Sequence, residues 1–146
     1  MGSATALGPT VVLDASALLA YAFGEPGGEA VGPLVAGARI SAANWSEFVQ
    51  KAVQHGVATE GMRAELEGAG LRIVPVDVHQ AERAAALWPL TRPLGLSLAD
   101  RLCLALASMQ LPARVLTADR AWLQLPALQG MQLVCIRPPQ ALREPG

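Results

Sequence analysis

The amino-acid sequence predicts an α/β domain with a mainly parallel β-sheet. Two observations lead to this prediction. Five short runs rich in Val, Ile and Leu show little alternation of apolar and polar positions, which is typical of strands covered on both faces. Segments with helical spacing of apolar residues separate these runs, so strands and helices alternate along the chain, as they do in parallel sheets.

The five predicted strands are apolar runs bounded by glycine, proline or polar residues. They are Thr10–Leu13, Arg39–Ser41, Arg72–Val76, Arg114–Thr117 and Gln132–Ile136. Residues 10–137 are therefore expected to form one domain. Residues 1–9 are small and polar, and residues 138–146 are rich in proline, so both segments are predicted to be irregular tails.

Six helices are expected between these strands. They are Ser16–Phe23, Glu29–Ala36, Ala43–His55, Thr59–Glu67, Asp77–Leu87 and Ser97–Gln110. Gly56 can end the third helix as a left-handed cap, and Pro89 is expected to end the fifth. The last helix is apolar nearly all round, which places it in the middle of the domain.

Composition limits the class of protein. The 146 residues are 52% hydrophobic and 16% charged, with a formal net charge of −1. Such an apolar composition favours a chain with some apolar surface covered by a partner. No apolar run approaches the length of about 18 residues that a membrane span needs, and no basic region precedes an apolar one at the N-terminus, so we expect a cytoplasmic protein.

Four acidic residues stand where the carboxyl ends of the predicted strands meet. Asp14 follows the first strand and Asp119 the fourth, Glu47 lies one turn into the helix after the second, and Asp100 opens the central helix. In parallel sheets, sites form beyond the carboxyl ends of the strands, where strand order reverses. These four residues are the candidate catalytic and metal-binding residues.

Helix capping is the alternative role for each acid. Asp14 and Asp119 can cap the segments that follow them, and the pairs Asn44/Glu47 and Ser97/Asp100 have the spacing of a capping box. Asp77 stands in the same position after the third strand. We interpret Asp77 as a cap alone.

The four acids together point to a hard cation. At an effective dielectric constant of 20, two carboxylates about 5 Å apart repel each other by about 3 kcal/mol. Oxygen ligands without a nearby His or Cys favour Mg²⁺ or Mn²⁺ over zinc. Such an ion suits phosphodiester hydrolysis, because it activates water and neutralises charge on phosphate oxygens. His55 and His79 are predicted to lie on helix surfaces, so no Ser/His/Asp arrangement competes.

Four sequence motifs resemble those of the PIN domain, and within that family those of the VapC-type toxins of bacterial toxin–antitoxin pairs. The motifs are V-V-L-D-A-S-A-L-L-A, N-W-S-E-F, L-S-L-A-D-R-L-C-L-A-L-A and V-L-T-A-D-R-A-W, and the resemblance runs from about Val11 to Ile136. The four acids of the family fall on Asp14, Glu47, Asp100 and Asp119. Ser16 and Thr117 match small polar positions that support the site in this family, although turn or cap roles are equally open.

The resemblance implies a fold and an activity. The fold is a three-layer α/β/α sandwich with strand order 3-2-1-4-5, in which the third strand lies at an edge and Asp77 far from Asp14. The activity is Mg²⁺-dependent (or Mn²⁺-dependent) endonucleolytic cleavage of RNA, controlled by a cognate antitoxin that blocks the acidic cleft with a basic side chain. Family members commonly form homodimers, which would account for the apolar composition.

The scarcity of lysine departs from a typical RNA-binding surface. Lys51 is the single lysine beside ten arginines, so the RNA-binding rim is expected to use arginine. Arg92, Arg101 and Arg120 are nearest in sequence to the acids. Ion pairs on solvated helix faces are the alternative role for these arginines.

Three other functions stay open at the sequence level. A phosphoacceptor domain also has an aspartate after its first strand, but it needs a nearby lysine, and Lys51 is deep in a helix. A PIN domain without enzymatic activity would be a binding scaffold. A PIN nuclease outside toxin–antitoxin pairs would act in RNA maturation or on DNA.

Overall fold

The structure, a computed structural model, describes residues 8–139. The strands in this range are β1 (Thr10–Leu13), β2 (Arg39–Ser41), β3 (Arg72–Val74), β4 (Ala113–Thr117) and β5 (Met131–Cys135). The α-helices in this range are α1 (Ala15–Ala22), α2 (Gly28–Val31), α3 (Ala42–Gln54), α4 (Met62–Gly68), α5 (Val78–Ala86), α6 (Trp88–Thr91) and α7 (Leu98–Ser108). Short 3₁₀ helices cover Gly32–Leu34, Arg92–Leu94 and Arg120–Gln124.

The five strands form one parallel sheet in the order β3-β2-β1-β4-β5, which confirms the predicted topology. Strand β1 is central, with Leu13 paired to Ile40 of β2 on one side and to Leu116 of β4 on the other. All strands are parallel, so their carboxyl ends lie at one edge. The strand order reverses at β1, and this is where parallel sheets form their binding crevices.

Helices cover both faces of the sheet, which confirms the three-layer architecture. Val12 and Leu13 are both fully buried although successive residues of a strand face opposite sides. Leu13 belongs to a core cluster with Leu18 of α1 and Phe48 of α3, whereas Val12 belongs to a second cluster with Leu104 of α7. The sheet is therefore buried on both sides, as its non-alternating strands predicted.

Helix α7 lies in the middle of the domain, as its apolar sequence predicted. Its residues Leu102–Ala107 are all buried. One side of the helix packs with β1 and β4, and another packs with α5, where Leu102 and Ala105 meet Ala84. Burial of each leucine in such a position stabilises the fold by about 1.5–3 kcal/mol. The rigid packing of α7 fixes its N-terminus, which carries Asp100, against the sheet edge.

Proline chemistry explains three of the places where element bounds differ from the prediction. Strand β3 ends at Val74 rather than Val76, because Pro75 has no N–H to continue the ladder. Pro89 does not end a helix as predicted; it lies in the first turn of a new helix, α6, where a missing N–H costs nothing. The predicted helix Glu29–Ala36 is divided into α2 and a 3₁₀ turn that contains Pro33.

The two predicted tails lie only partly within the residues that the structure describes. Pro9 and residues 138–139 have no regular structure, whereas residues 1–7 and 140–146 lie outside the described residues. Within residues 8–139, no helix has the length and hydropathy that crossing a bilayer requires.

Candidate active site

The four sequence-predicted acids line a single cavity of about 200 Å³ at the carboxyl edge of the sheet. Asp14 joins β1 to α1, and Asp119 follows β4 after one intervening residue. Glu47 stands in the second turn of α3 and Asp100 in the first turn of α7. The parallel topology therefore brings together four side chains that are spread over more than a hundred residues of sequence.

Asp14 is the most buried of the four acids, with 4% of its surface exposed. Its Oδ1 accepts hydrogen bonds from the Ser16 hydroxyl at 2.7 Å and the Ala17 amide at 2.8 Å, and its Oδ2 accepts one from the Thr117 hydroxyl at 2.5 Å. Burial raises the pKa of Asp14 to about 6, against the lowering effect of these three hydrogen bonds; the nearby Asp100 raises it further. Asp14 also caps α1, so capping and a functional role coexist.

Ser16 and Thr117 connect the start of α1 to the end of β4. The Ser16 hydroxyl accepts a hydrogen bond from the Ala118 amide at 2.8 Å, and the Thr117 hydroxyl accepts one from the Asp119 amide at 3.0 Å. Each hydroxyl at the same time donates to Asp14. The orientation of the Asp14 carboxylate is thus set by two hydroxyl groups, each of which accepts a hydrogen bond from a backbone amide at the end of β4.

Glu47 is half-buried at the cavity wall formed by α3. Its Oε1 accepts a hydrogen bond from Asn44 Nδ2 at 3.2 Å, and the same amide nitrogen is 3.3 Å from the carbonyl oxygen of Ala99 in α7. Burial raises the pKa of Glu47; Asn44 lowers it and Asp100 raises it. The N-cap of α3 is Ser41 rather than Asn44, so the alternative that Asn44 and Glu47 form a capping box is wrong.

Asp100 forms a capping box with Ser97. Its Oδ2 accepts a hydrogen bond from the Ser97 amide at 2.9 Å, and the Ser97 hydroxyl accepts one from the Asp100 amide at 3.1 Å. Burial raises the pKa of Asp100, the hydrogen bonds of Ser97 lower it, and the charge of Asp119 raises it. The carboxylate therefore has a structural partner and still lines the cavity.

Asp119 and Asp77 both cap the helix that follows a strand, but only Asp119 lines the cavity. Asp119 accepts a hydrogen bond from the Ala121 amide at 3.0 Å. Asp77 accepts one from the Gln80 amide at 2.8 Å and caps α5, as predicted, after the edge strand β3. Asp77 is thus a natural control for the effect of losing a helix cap without touching the site.

The electrostatics of the cavity favour a divalent cation. Asp100 raises the pKa of both Asp14 and Glu47, and burial together with the same three acids raises the pKa of the Cys103 thiol nearby. These effects mean that the carboxylates are close enough to repel one another in a partly dry space. A hard cation relieves this repulsion, and an oxygen-only donor set fits Mg²⁺ or Mn²⁺.

The geometry fits a hydrated ion rather than a cage of side chains. Residues 8–139 contain no group of three or more His, Cys, Asp or Glu side chains close enough to hold one ion directly. Mg²⁺ keeps several of its waters and commonly binds through one or two carboxylates. One or two of the four acids would therefore hold such an ion directly, and the others would contact it through water.

Lys51 is a cavity residue that sequence reasoning missed. It lies one turn after Glu47 in α3 and lines the same cavity as the acids. Its charge lowers the pKa of Glu47. The four-residue spacing from Glu47 was the available signal, because residues i and i+4 of a helix share a face.

The three arginines nearest in sequence to the acids have different environments. Arg92 stacks over the Trp88 ring, with 5.2 Å between its Cζ atom and the ring centroid. Arg101 donates to the carbonyl oxygen of Ala84 at 3.0 Å and ties α7 to α5. Only Arg120 lines a groove beside the acids.

The fold and site define a class: a parallel α/β domain with a carboxylate site where its strand order reverses. The PIN domain family model matches residues 11–128, and the chain belongs to this family. PIN domains are nucleases and generally use divalent metal ions. No match is found among curated proteins.

Two solved structures are similar to the chain. One is a toxin–antitoxin complex from Klebsiella pneumoniae, with 20% identity and a TM-score of 0.62 over 84% of this chain and 95% of that chain. The other is DNA-bound VapBC from Salmonella typhimurium, with 18% identity and a TM-score of 0.61 over 87% of this chain and 98% of that chain. At these identities the similarity establishes a shared fold.

Proposed function

We propose that the protein is a Mg²⁺-dependent or Mn²⁺-dependent endoribonuclease, the toxin of a toxin–antitoxin pair, which acts on RNA in the cytoplasm. The observation that carries the proposal is the convergence of Asp14, Glu47, Asp100 and Asp119 on one cavity at the strand-order reversal. Such a site, in a member of a nuclease family, suits the hydrolysis of phosphodiester bonds.

The residues of the site have separable tasks in this proposal. A bound ion would lower the pKa of a water molecule and neutralise charge on the phosphate oxygens. Asp14 would hold the ion, because its carboxylate is oriented by Ser16 and Thr117. Glu47 reaches the cavity from α3, where Asn44 holds its Oε1, so its carboxylate is placed to take a proton from the attacking water. Asp100 and Asp119 would orient the waters around the ion.

The toxin role is supported by both structural neighbours, one a toxin–antitoxin complex and the other DNA-bound VapBC. An apolar groove of about 520 Å³ supplies a surface for an antitoxin segment. It lies between α1, α3 and α4, and its lining includes Tyr21, Phe23, Phe48, Val57 and Met62. Phe23 is 36% exposed although its ring stacks on Phe48 at 6.0 Å between centroids.

Helix α1 connects this apolar groove to the acid cavity. Leu19 lines the cavity, and Phe23, one turn later, lines the groove. A single antitoxin segment that follows α1 would cover the apolar side chains and reach the acids. An arginine in that segment would pair with the carboxylates and exclude metal and RNA together.

A homodimer is also part of the proposal. Three large apolar side chains near the starts of α5, α6 and α7 are strongly exposed: Val78 at 71%, Leu98 at 58% and Trp88 at 49%. A second copy that covers them would account for the apolar composition. Light scattering of the purified protein checks this, with a mass of about twice 15.2 kDa expected.

Cleavage of RNA by matched aspartate variants tests the proposed function. Asp14→Asn is expected to abolish Mg²⁺-dependent cleavage of a single-stranded RNA while the protein stays folded. Asp77→Asn removes the same charge from an equivalent helix cap outside the cavity and leaves an Asn that can still cap α5, so it is expected to keep activity and most of its stability. Equal loss of activity in both variants would mean that the loss of a charge at a helix cap, not the loss of the metal site, explains the effect.

Cleavage assays also separate two of the alternative functions, the PIN scaffold without activity and the PIN nuclease outside a toxin–antitoxin pair. A PIN scaffold without activity would cleave nothing in either variant. A PIN nuclease outside a toxin–antitoxin pair would cleave, but co-expression with the products of the neighbouring genes would not inhibit it.

A further inference from the structure

A second groove adjoins the acid cavity on the side of β4 and β5. It has a volume of about 760 Å³, against about 200 Å³ for the acid cavity itself. Ser16 and Asp119 line both spaces, so the two lie side by side. A polymer bound across the acid cavity can therefore extend into this groove.

Two exposed arginines line this groove. Arg120 begins the 3₁₀ helix after Asp119, and Arg137 follows β5. Arg120 Nη2 donates a hydrogen bond of 2.8 Å to the backbone carbonyl oxygen of Arg137. This bond joins the two segments, and it leaves most of the five guanidinium N–H donors of Arg120 available.

The positive charge of the groove is not cancelled by carboxylates in the described part of the chain. Among residues 8–139, the salt bridge present joins Arg63 to Glu67 in α4. Asp119 is the single acid among the groove residues, and it also belongs to the acid cavity. Two guanidinium groups that form no salt bridge within residues 8–139 therefore lie beside the carboxylate site, where an anionic ligand can reach them.

Two prolines give this groove a stiff wall. Pro138 and Pro139 line it next to Arg137, and the fixed φ of proline restricts the backbone that carries Arg137. A restricted backbone lowers the entropy that ligand binding costs. The groove therefore combines charge with partial preorganisation.

We propose that Arg120 and Arg137 bind an RNA backbone phosphate next to the scissile one and so position the strand over the acid cavity. This inference rests on the proposed ribonuclease function. The planar guanidinium fork matches a phosphate, and a neighbouring phosphate is present in any RNA that spans the cavity, whatever its sequence. An acidic protein segment offers carboxylates too, but the position of the groove directly beside the acid cavity favours a substrate that occupies both spaces.

RNA binding by charge-matched variants tests this proposal. A fluorescent single-stranded RNA is titrated into Asp14→Asn protein, which does not cleave, and into the same protein with Arg120→Gln, Arg137→Gln or both. Arg72→Gln is the control, because Arg72 is an exposed arginine at the amino-terminal edge of the sheet. Each groove variant is expected to bind roughly threefold to tenfold more weakly, and the salt slope to fall by about 0.7 per lost phosphate contact.

Kinetics in the otherwise wild-type protein give a second readout. Loss of a positioning residue that binds a flanking phosphate is expected to raise KM more than it lowers kcat. Both arginines are exposed, so melting temperatures are expected to change little. If Arg120→Gln does not fold, Arg137→Gln still tests the proposal, because the hydrogen bond to Arg120 uses the main-chain carbonyl of Arg137.

The outcomes separate this inference from the proposed function. If the wild type cleaves RNA and the groove variants bind and cleave like Arg72→Gln, the inference is wrong and the ribonuclease stands. If the wild type never cleaves but the groove variants still lose RNA affinity and salt slope, the groove is a phosphate site and the ribonuclease proposal fails. If the variants lose affinity for polyglutamate and not for RNA, the groove binds an acidic protein and the inference is overturned.

Discussion

The hydroxyl of Thr117 donates a hydrogen bond of 2.5 Å to Oδ2 of Asp14, across 103 residues of sequence. The same hydroxyl accepts a hydrogen bond from the Asp119 amide. One small side chain at the end of β4 therefore orients the most buried acid of the site and the backbone of another. A variant that lacks this hydrogen bond tests whether the site depends on the orientation of Asp14 or only on its charge.

We expect Thr117→Val to lower RNA cleavage at least tenfold with Asp14 still present. The substitution keeps the shape of the side chain, removes the donor to Asp14 and the acceptor for the Asp119 amide, and costs about 1–3 kcal/mol of stability. Thr91→Val is the control, since Thr91 is also fully buried and donates to the carbonyl oxygen of Leu87, away from the site. An activity that survives in Thr117→Val as well as in Thr91→Val would show that orientation by Thr117 is unimportant.

The metal-free protein is expected to gain stability from Asp14→Asn as the pH rises. The pKa of Asp14 is raised from 3.8 to about 6 in the folded state, so between these values the folded state binds more protons than the unfolded state. Stability of the wild type relative to Asp14→Asn therefore falls from about pH 4 to pH 6, by about 3 kcal/mol at most, and is constant above. Melting temperatures of both proteins in EDTA from pH 4 to pH 8 measure this. A stability difference between the two proteins that stays the same from pH 4 to pH 6 would contradict it.

Divalent metal is expected to stabilise the folded protein. A ligand that binds only the folded state at ten times its Kd adds about 1.4 kcal/mol, which raises the melting temperature of a domain of this size by about 3–5 °C. The shift with Mg²⁺ or Mn²⁺ should be much smaller in Asp14→Asn and unchanged in Asp77→Asn. A full shift in Asp14→Asn would place the ion elsewhere.

Lys51→Gln is expected to separate metal binding from RNA cleavage. The charge of Lys51 lowers the pKa of Glu47 and opposes a cation in the same cavity. Its removal should leave Mn²⁺ bound up to about fivefold more tightly, because exposed charge pairs contribute at most about 1 kcal/mol. Cleavage at low RNA concentration should fall, since a cation that faces the phosphate is lost. Titrations of both proteins with Mn²⁺ check this, with Lys51→Arg as the control; weaker metal binding in Lys51→Gln would be the contrary result.

The acid cavity could be predicted from sequence because each acid is tied to the end of a strand or the start of a helix. Parallel strands end at one edge, and the strand order that the family resemblance implies makes β1 and β4 neighbours, so Asp14 and Asp119 were expected to lie close together. Spacing alone could not show that Asp100 both caps its helix and lines the cavity, because a capping residue and a site residue occupy the same position at the start of a helix.

The basic side of the site could not be predicted from nearness in sequence. Arg101 follows Asp100, but successive residues of a helix point about 100° apart, so Arg101 packs toward α5 instead of the cavity. Arg137 is far from every acid in sequence and reaches the groove because β5 lies beside β4. Lys51 shares a helix face with Glu47, but its place in the cavity also depends on the packing of α3 against α1 and α7. These relations depend on tertiary packing, which local patterns do not encode.

The most direct test of the central claim is RNA cleavage by the wild-type protein before and after removal of metal. If the four carboxylates act through a bound divalent ion, excess EDTA stops cleavage, and Mg²⁺ or Mn²⁺ added beyond the chelator restores it in the same sample. Asp14→Asn stays inactive under both conditions. Cleavage by the wild type that continues in excess EDTA would contradict the metal-dependent account.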